Sequence, residues 1–191
     1  MKSRRLPRPS EILPLIGKPD RSKSRLQRRL ERCASVWDVR EMARRSTPKS
    51  VFDYTDGGSM SESSLDRSRD AYRRVEFMPR IMRNVADVDL STTILGKTNA
   101  LPFVFAPTGF TRMMHHAGEP AVAAVAERAG IAYALSTLGT TSIEGLATAT
   151  PEVRRWFQLY VSRDRSQAVE LMRRAKESGY DSLILTVDTA V

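Results

Sequence analysis

Four short stretches set neutral polar groups directly behind apolar runs: Pro107-Thr108-Gly109, Ser136-Thr137, Gln158-x-Tyr160 and Thr186-x-Asp188. Hydroxyls, an amide, a phenol and bare backbone dominate them, and none holds a charge cluster. Groups of this kind donate and accept hydrogen bonds around the rim of a flat, polar-edged aromatic ligand. Other chemistry-capable residues are sparse. Cys33 is the single cysteine, so an internal disulfide is excluded and a reducing compartment is expected. His115 and His116 are adjacent, just before Gly118-Glu119. Without further ligands nearby they read as loop residues, not as a metal site or catalytic base.

Each polar stretch closes a segment that reads as a strand. Residues 103–106 are an apolar run stopped by Pro107, expected to be a strand buried on both faces and the first of a parallel array. Residues 131–135, 155–161 and 182–187 are the expected second, third and fourth strands. Helices over 121–129, from a Thr141/Ser142 cap to about 149, and over 165–178 separate them. This alternation with short connections predicts a parallel α/β array. Phase adds detail. Phe157, Leu159 and Val161 share one face, opposite Trp156, Gln158 and Tyr160; Leu183, Leu185 and Val187 oppose Ile184, Thr186 and Asp188. One apolar face and one that turns polar towards its end describes a barrel lumen with a site at its mouth, or equally a half-exposed strand. Ligands of parallel α/β folds sit at the carboxyl ends of strands. Periodicity alone leaves a closed barrel and an open sheet equivalent.

Ahead of residue 101 the chain changes character. Residues 1–50 carry 15 Lys+Arg against 5 Asp+Glu, whereas the remaining 141 carry 16 against 17. The pI of 10.2 is therefore a property of the first quarter. Four prolines in residues 1–22 predict an extended arm, and residues 1–34 as a whole are read as a basic, largely flexible segment. Residues 35–100 are read as N-terminal helices, with caps at Ser35 and Thr47-Pro48 and a stop at Gly57-Gly58, followed by a small hairpin near 91–99. Residues 12–16 are too short an apolar run, and broken by Pro14, for a signal peptide or a membrane span. A cytoplasmic protein is expected. Its basic arm answers to any polyanion: nucleic acid, for which interleaved aromatics are lacking, or an anionic membrane surface, which would make the protein peripheral at the inner face of the cell membrane.

The spaced set Phe52-Asp53-Tyr54-x-x-Gly57-Gly58, Ala106-Pro107-Thr108-Gly109, Gly118-Glu119, Leu135-Ser136-Thr137, Trp156-Phe157-Gln158-Leu159-Tyr160 and Leu185-Thr186-Val187-Asp188 resembles the FMN-dependent α-hydroxy acid dehydrogenase family, which includes glycolate oxidase and L-lactate dehydrogenase. The wording around Asp53 and Ala106 looks most like bacterial L-lactate dehydrogenases. The resemblance implies the N-terminal half of a (β/α)8 TIM barrel over residues 101–191, with about four parallel strands. By the same resemblance, the backbone of Pro107, Thr108 and Gly109 approaches the reactive edge of FMN, and Ser136, Gln158 and Thr186 bond its rim. Tyr54 and Tyr160 hold the carboxylate and hydroxyl of a small 2-hydroxy acid, while Leu138 and Gly109 shape the pocket for its side chain. The implied reaction is oxidation of an L-2-hydroxy acid, L-lactate to pyruvate foremost, in a homo-oligomer handing electrons to quinone, cytochrome or oxygen.

Two departures stand out. Ser59-Met60-Ser61-Glu62 replaces the family's usual acidic pair. The family's catalytic histidine, flavin-stabilising lysine, substrate arginine and phosphate loops would lie beyond Val191, so the chain reads as a fragment without its catalytic base. The competing expectation is a non-catalytic remnant or interaction piece.

Overall fold

The computed structural model describes residues 8–12 and 22–188. Contacts divide it into two compact units, Met1–Thr55 and Asp56–Val191.

The first unit is helical: α1 (Pro9–Ile12), α2 (Arg25–Leu30), α3 (Val36–Ser46) and most of α4 (Lys49–Asp56). Local chemistry starts these helices. Gln27 N–H donates to Ser24 Oγ at 3.1 Å and Ser24 N–H to Gln27 Oε1 at 2.7 Å, a reciprocal capping box at the head of α2. The Asp38 carboxylate takes the N–H groups of Ala34 and Ser35, each at 2.9 Å, at the head of α3. In the expected extended arm, Arg8 N–H donates to Glu11 Oε2 at 2.8 Å and closes Pro9–Ile12 into a helical turn. Proline is suited to the start of such a turn because the first N–H groups lack intrahelical partners. Residues 1–7 and 13–21 of that arm lie outside the described residues. No helix among the described residues is long and apolar enough to cross a membrane.

The second unit opens with α5 (Ser63–Arg73) and an antiparallel hairpin, β1 (Thr92–Ile94) and β2 (Lys97–Asn99). Its turn places Leu95 and Gly96 both at positive φ, 48° and 73°, which matches the right-handed twist of the flanking strands. There follow α6 (Thr111–Met114), α7 (Gly118–Ala129), β3 (Tyr133–Leu135), α8 (Ile143–Ala149), β4 (Arg155–Tyr160), α9 (Arg165–Glu177) and β5 (Ser182–Thr186). The strands form one parallel sheet in the order β3-β4-β5. Phe157 stands beside Leu135 and Leu183, and Tyr160 beside Thr186.

One face of this sheet is the main core. Tyr133, Leu135, Phe157 and Leu159 pack there with Ala123, Ala126, Leu146, Ala168 and Ala175 of the three helices. Alanine on the helices lets them sit close to the large residues of the strands. The opposite face holds Ala132, Ala134 and Trp156 with Ile94 of the hairpin. Asp181, at the start of β5, ties the hairpin down: it accepts from Lys97 Nζ at 2.8 Å and Arg154 Nε at 2.9 Å, while Arg154 Nη1 donates to Ile94 O at 2.8 Å. Two-residue alternation thus sends apolar side chains to the helices and leaves Gln158 and Tyr160 on the other side.

The expected first strand is reduced to a single parallel bridge, Phe105 to Tyr133. Nor is the segment buried on both faces, since Phe103 is 65% exposed. Asn99 supplies the reason. Buried at the end of β2, it donates from Nδ2 to Leu101 O and Phe103 O, both at 2.7 Å, and accepts Ala132 N–H on Oδ1 at 3.0 Å. One amide side chain takes the hydrogen bonds that a backbone ladder would otherwise make.

A second buried polar residue clamps the loop after β3. Glu119, in the first turn of α7, is fully buried. It accepts from Thr140 N–H at 2.6 Å, Thr140 Oγ1 at 2.7 Å and Thr141 Oγ1 at 2.8 Å. Burial alone would push its carboxyl up. The Thr140 N–H and hydroxyl, the residue's own N–H and the Thr141 hydroxyl outweigh burial and hold it at about 2.

Two outcomes are expected. Asn99→Ala leaves the buried Ala132 N–H and two part-buried carbonyls without partners, and urea unfolding followed by far-UV circular dichroism should show a loss of about 2–4 kcal/mol. Because folding depresses the Glu119 pKa from its ordinary 4.5, its contribution is complete above pH 4.5 and fades as pH falls towards 2. Wild type should therefore lose roughly 3 kcal/mol more than Glu119→Gln between neutral pH and pH 2. Parallel acid-unfolding curves for the two proteins would contradict this.

Candidate functional site

The carboxyl ends of β3, β4 and β5 carry a continuous polar line. Ser136 Oγ donates to Gln158 Oε1 at 3.1 Å, and Gln158 Nε2 donates to Thr186 Oγ1 at 2.7 Å. Gln158 and Ser136 are buried and Thr186 is half-buried. The direction of these bonds fixes the amide. Gln158 Oε1 also takes Thr137 N–H at 3.1 Å, so the oxygen faces β3 and the nitrogen faces β5. Thr186 Oγ1 then accepts from the amide and still has its own proton to donate. Ser136 Oγ is occupied on its accepting side by Leu138 N–H at 3.1 Å.

Thr137 reads in the sequence only as a companion to Ser136, yet it sets the geometry of the line. Its Oγ1 donates to Gln158 O at 2.5 Å and accepts Tyr160 N–H at 3.1 Å. The side chain thereby continues the β3–β4 pairing beyond Leu135 and fixes the backbone on either side of Leu159. The signal was available: a second hydroxyl residue directly after Ser136, where a strand must part from its neighbour. Tyr160 ends β4 half-buried, on the alternation that carries Gln158.

Pro107-Thr108-Gly109 lies beside the loop that follows β3. Phe110 N–H donates to Leu138 O at 2.9 Å, and a Cβ at Gly109 would meet Leu138 Cβ at 3.1 Å. Leu138 therefore borders the expected flavin-edge tripeptide, and a side chain at 109 would push it aside. Thr111 Oγ1 closes the turn on Thr108 O at 3.3 Å. Phe110 pays for this reversal with a left-handed φ of 55°.

Tyr54 belongs to the first unit, on α4, where it is exposed. The strand-end groups, Ser136, Gln158, Tyr160 and Thr186, are all drawn from the second unit. His115 and His116 stack with centroids 4.3 Å apart, and His115 Nδ1 accepts Ala117 N–H at 3.2 Å, a loop-closing role. Among the described residues, no three His, Cys, Asp or Glu side chains converge on a metal position.

The donor set fits a flavin. An isoalloxazine rim presents carbonyl oxygens and ring nitrogens, and it needs neutral partners of both kinds along one edge. The Ser136–Gln158–Thr186 line provides an amide N–H, a hydroxyl donor and no carboxylate. The Pro107-Thr108-Gly109 turn adds backbone on the neighbouring loop.

Residues 43–191 match the family model described as FMN-dependent dehydrogenase. The chain is 44% identical, over 99% of its length, to the Mycobacterium tuberculosis protein named "Putative L-lactate dehydrogenase", of which it covers 46%. It is 39% identical over 81% of its length to a glycolate oxidase of Spinacia oleracea, of which it covers 42%. Among solved structures, a mandelate oxidase superposes with a TM-score of 0.76 at 39% identity, covering 81% of this chain and 46% of that one. An (S)-mandelate dehydrogenase mutant gives 0.77 at 36% identity, covering 82% and 44%. The chain spans about half the length of the curated relatives it matches. The helices and parallel strands, with this likeness to solved oxidases, make the chain part of a TIM barrel, and it belongs to the FMN-dependent dehydrogenase family, whose cofactor is FMN.

Proposed function

We propose that this chain builds one side of the flavin site of an enzyme that oxidises a small L-2-hydroxy acid, with L-lactate as the substrate. The observation that carries the reading is the hydrogen-bonded line Ser136–Gln158–Thr186 across three parallel strand ends. Held by these residues, FMN would supply a hydride acceptor for the α-carbon of the substrate. This chain's own residues do the rest of the work on this side. Gln158 Nε2 and the Thr186 hydroxyl offer donors to the flavin rim, and Pro107-Thr108-Gly109 offers backbone to its reactive edge. Tyr160 presents a phenol that can hold a carboxylate without adding a positive charge. Fixed donors at a site removed from water strengthen as negative charge builds in the transition state.

The substrate assignment rests on two supports. Leu138 sits against Gly109 beside the strand-end line, an arrangement compatible with a small side chain such as methyl. The Mycobacterium tuberculosis relative carries lactate in its name. Homo-oligomerisation, and quinone, cytochrome or oxygen as acceptor, belong to the same proposal.

Titration of FMN fluorescence with the chain tests the cradle. Binding should be saturable, and Gln158→Ala should weaken it by about tenfold, the ~1.4 kcal/mol expected for losing the central amide. Loss of one hydroxyl in Thr186→Val should cost less. Quenching that does not saturate, or that ignores Gln158→Ala, would refute the cradle. None of the strand-end groups is an imidazole, so flavin bound to this chain alone should keep its oxidised absorbance when L-lactate is added. Bleaching by L-lactate would show that the base lies within these residues.

A further inference from the structure

The first unit carries a surface that the strand-end site does not use. On α2, Arg25 and Arg29 stand one turn apart, and Arg32 extends the row through a turn held by Arg32 N–H to Arg29 O at 3.2 Å. The adjacent row presents Leu26 and Leu30, 54% and 43% exposed. On α3, Val36, Val39 and the indole of Trp37 are exposed as well, Trp37 by 53%. Carboxylates offset only part of the charge. Glu31 pairs with Lys23, and Glu41 with Arg44 and Arg40. Arg25, Arg29, Arg32 and Arg45 have no ion pair among the described residues.

We propose that this basic and apolar surface of the first unit docks on an anionic phospholipid bilayer. Guanidinium groups meet the phosphate and carboxylate headgroups. The neighbouring leucines and the tryptophan enter the boundary between headgroups and acyl chains, an environment that suits an amphipathic body with a polar tip. A nucleic acid matches the same cations less well. It offers nothing to exposed leucine and valine, and base stacking calls for aromatic rings among the cations, whereas Trp37 already has Arg40 over its ring at 5.6 Å. The surface is independent of the flavin reading.

Co-sedimentation of the intact chain with vesicles decides the matter. Phosphatidylcholine vesicles containing phosphatidylserine should bind at least tenfold more tightly than phosphatidylcholine alone, with binding weakened by salt. The charge-reversed variant Arg25→Glu/Arg29→Glu/Arg32→Glu should lose that preference. The second variant, Leu26→Ser/Leu30→Ser, should bind severalfold more weakly at low salt with all its charges in place. Unchanged far-UV circular dichroism checks the fold of both. In a Trp156→Phe background Trp37 is the only indole, and its emission should shift to the blue on binding. Equal affinity for neutral and anionic vesicles overturns the proposal. So does a duplex DNA that competes fully while the leucine variant binds vesicles like wild type, because the surface would then be a bare polyanion site.

Discussion

Parallel pairing of β3, β4 and β5 in one fixed register is the constraint on which the second unit depends. A one-residue slip of β4 would turn Phe157 and Leu159 away from the helices and drive Gln158 into the alanine-lined core. The free energy of burying two large apolar side chains, several kcal/mol by the usual area relation, holds the amide on the opposite face. Core packing and site geometry are in this sense one interaction viewed from two sides of a sheet.

Two buried polar side chains tie irregular segments to that sheet, and both act by occupying backbone groups that regular structure leaves open. Asn99 links the hairpin to residues 101–103 and to the start of β3. Glu119 links the first turn of α7 to the loop after β3. Because Leu138 lies between Ser136 and Thr140, that clamp also limits how far Leu138 can move against Gly109. Rigidity next to a binding edge is useful, since donors that are already in place cost nothing to reorganise when charge develops.

The two units use charge differently. In the second, Asp181 and Glu144 meet arginine partners in well-formed pairs, and the strand-end line is neutral. In the first, cations outnumber carboxylates and stand beside exposed leucine and tryptophan. A neutral line suits a ligand read by hydrogen bonding; an unbalanced one suits a broad anionic surface where geometry matters little.

The alternation of residues 156–161 and 183–188, the caps at Ser35 and Ser142, and the glycine stop at Gly57-Gly58 were legible in the sequence, because each depends on neighbours within a turn or two of chain. So were Ser136, Gln158 and Thr186 as strand-end polar groups. What remained hidden depends on residues far apart in the chain. Nothing local to Asn99 says that its amide will meet Ala132, 33 residues on, and relieve residues 103–106 of forming a full strand. Nothing local to Glu119 says that a carboxylate in an alanine-rich helix will be buried against Thr140 and Thr141. Thr137 reads as one more hydroxyl until the β3–β4 register brings it to the Gln158 carbonyl and the Tyr160 N–H. Periodicity and capping are properties of the chain, whereas satisfying a buried polar atom is a property of the folded neighbourhood, and only the tertiary structure chose those partners.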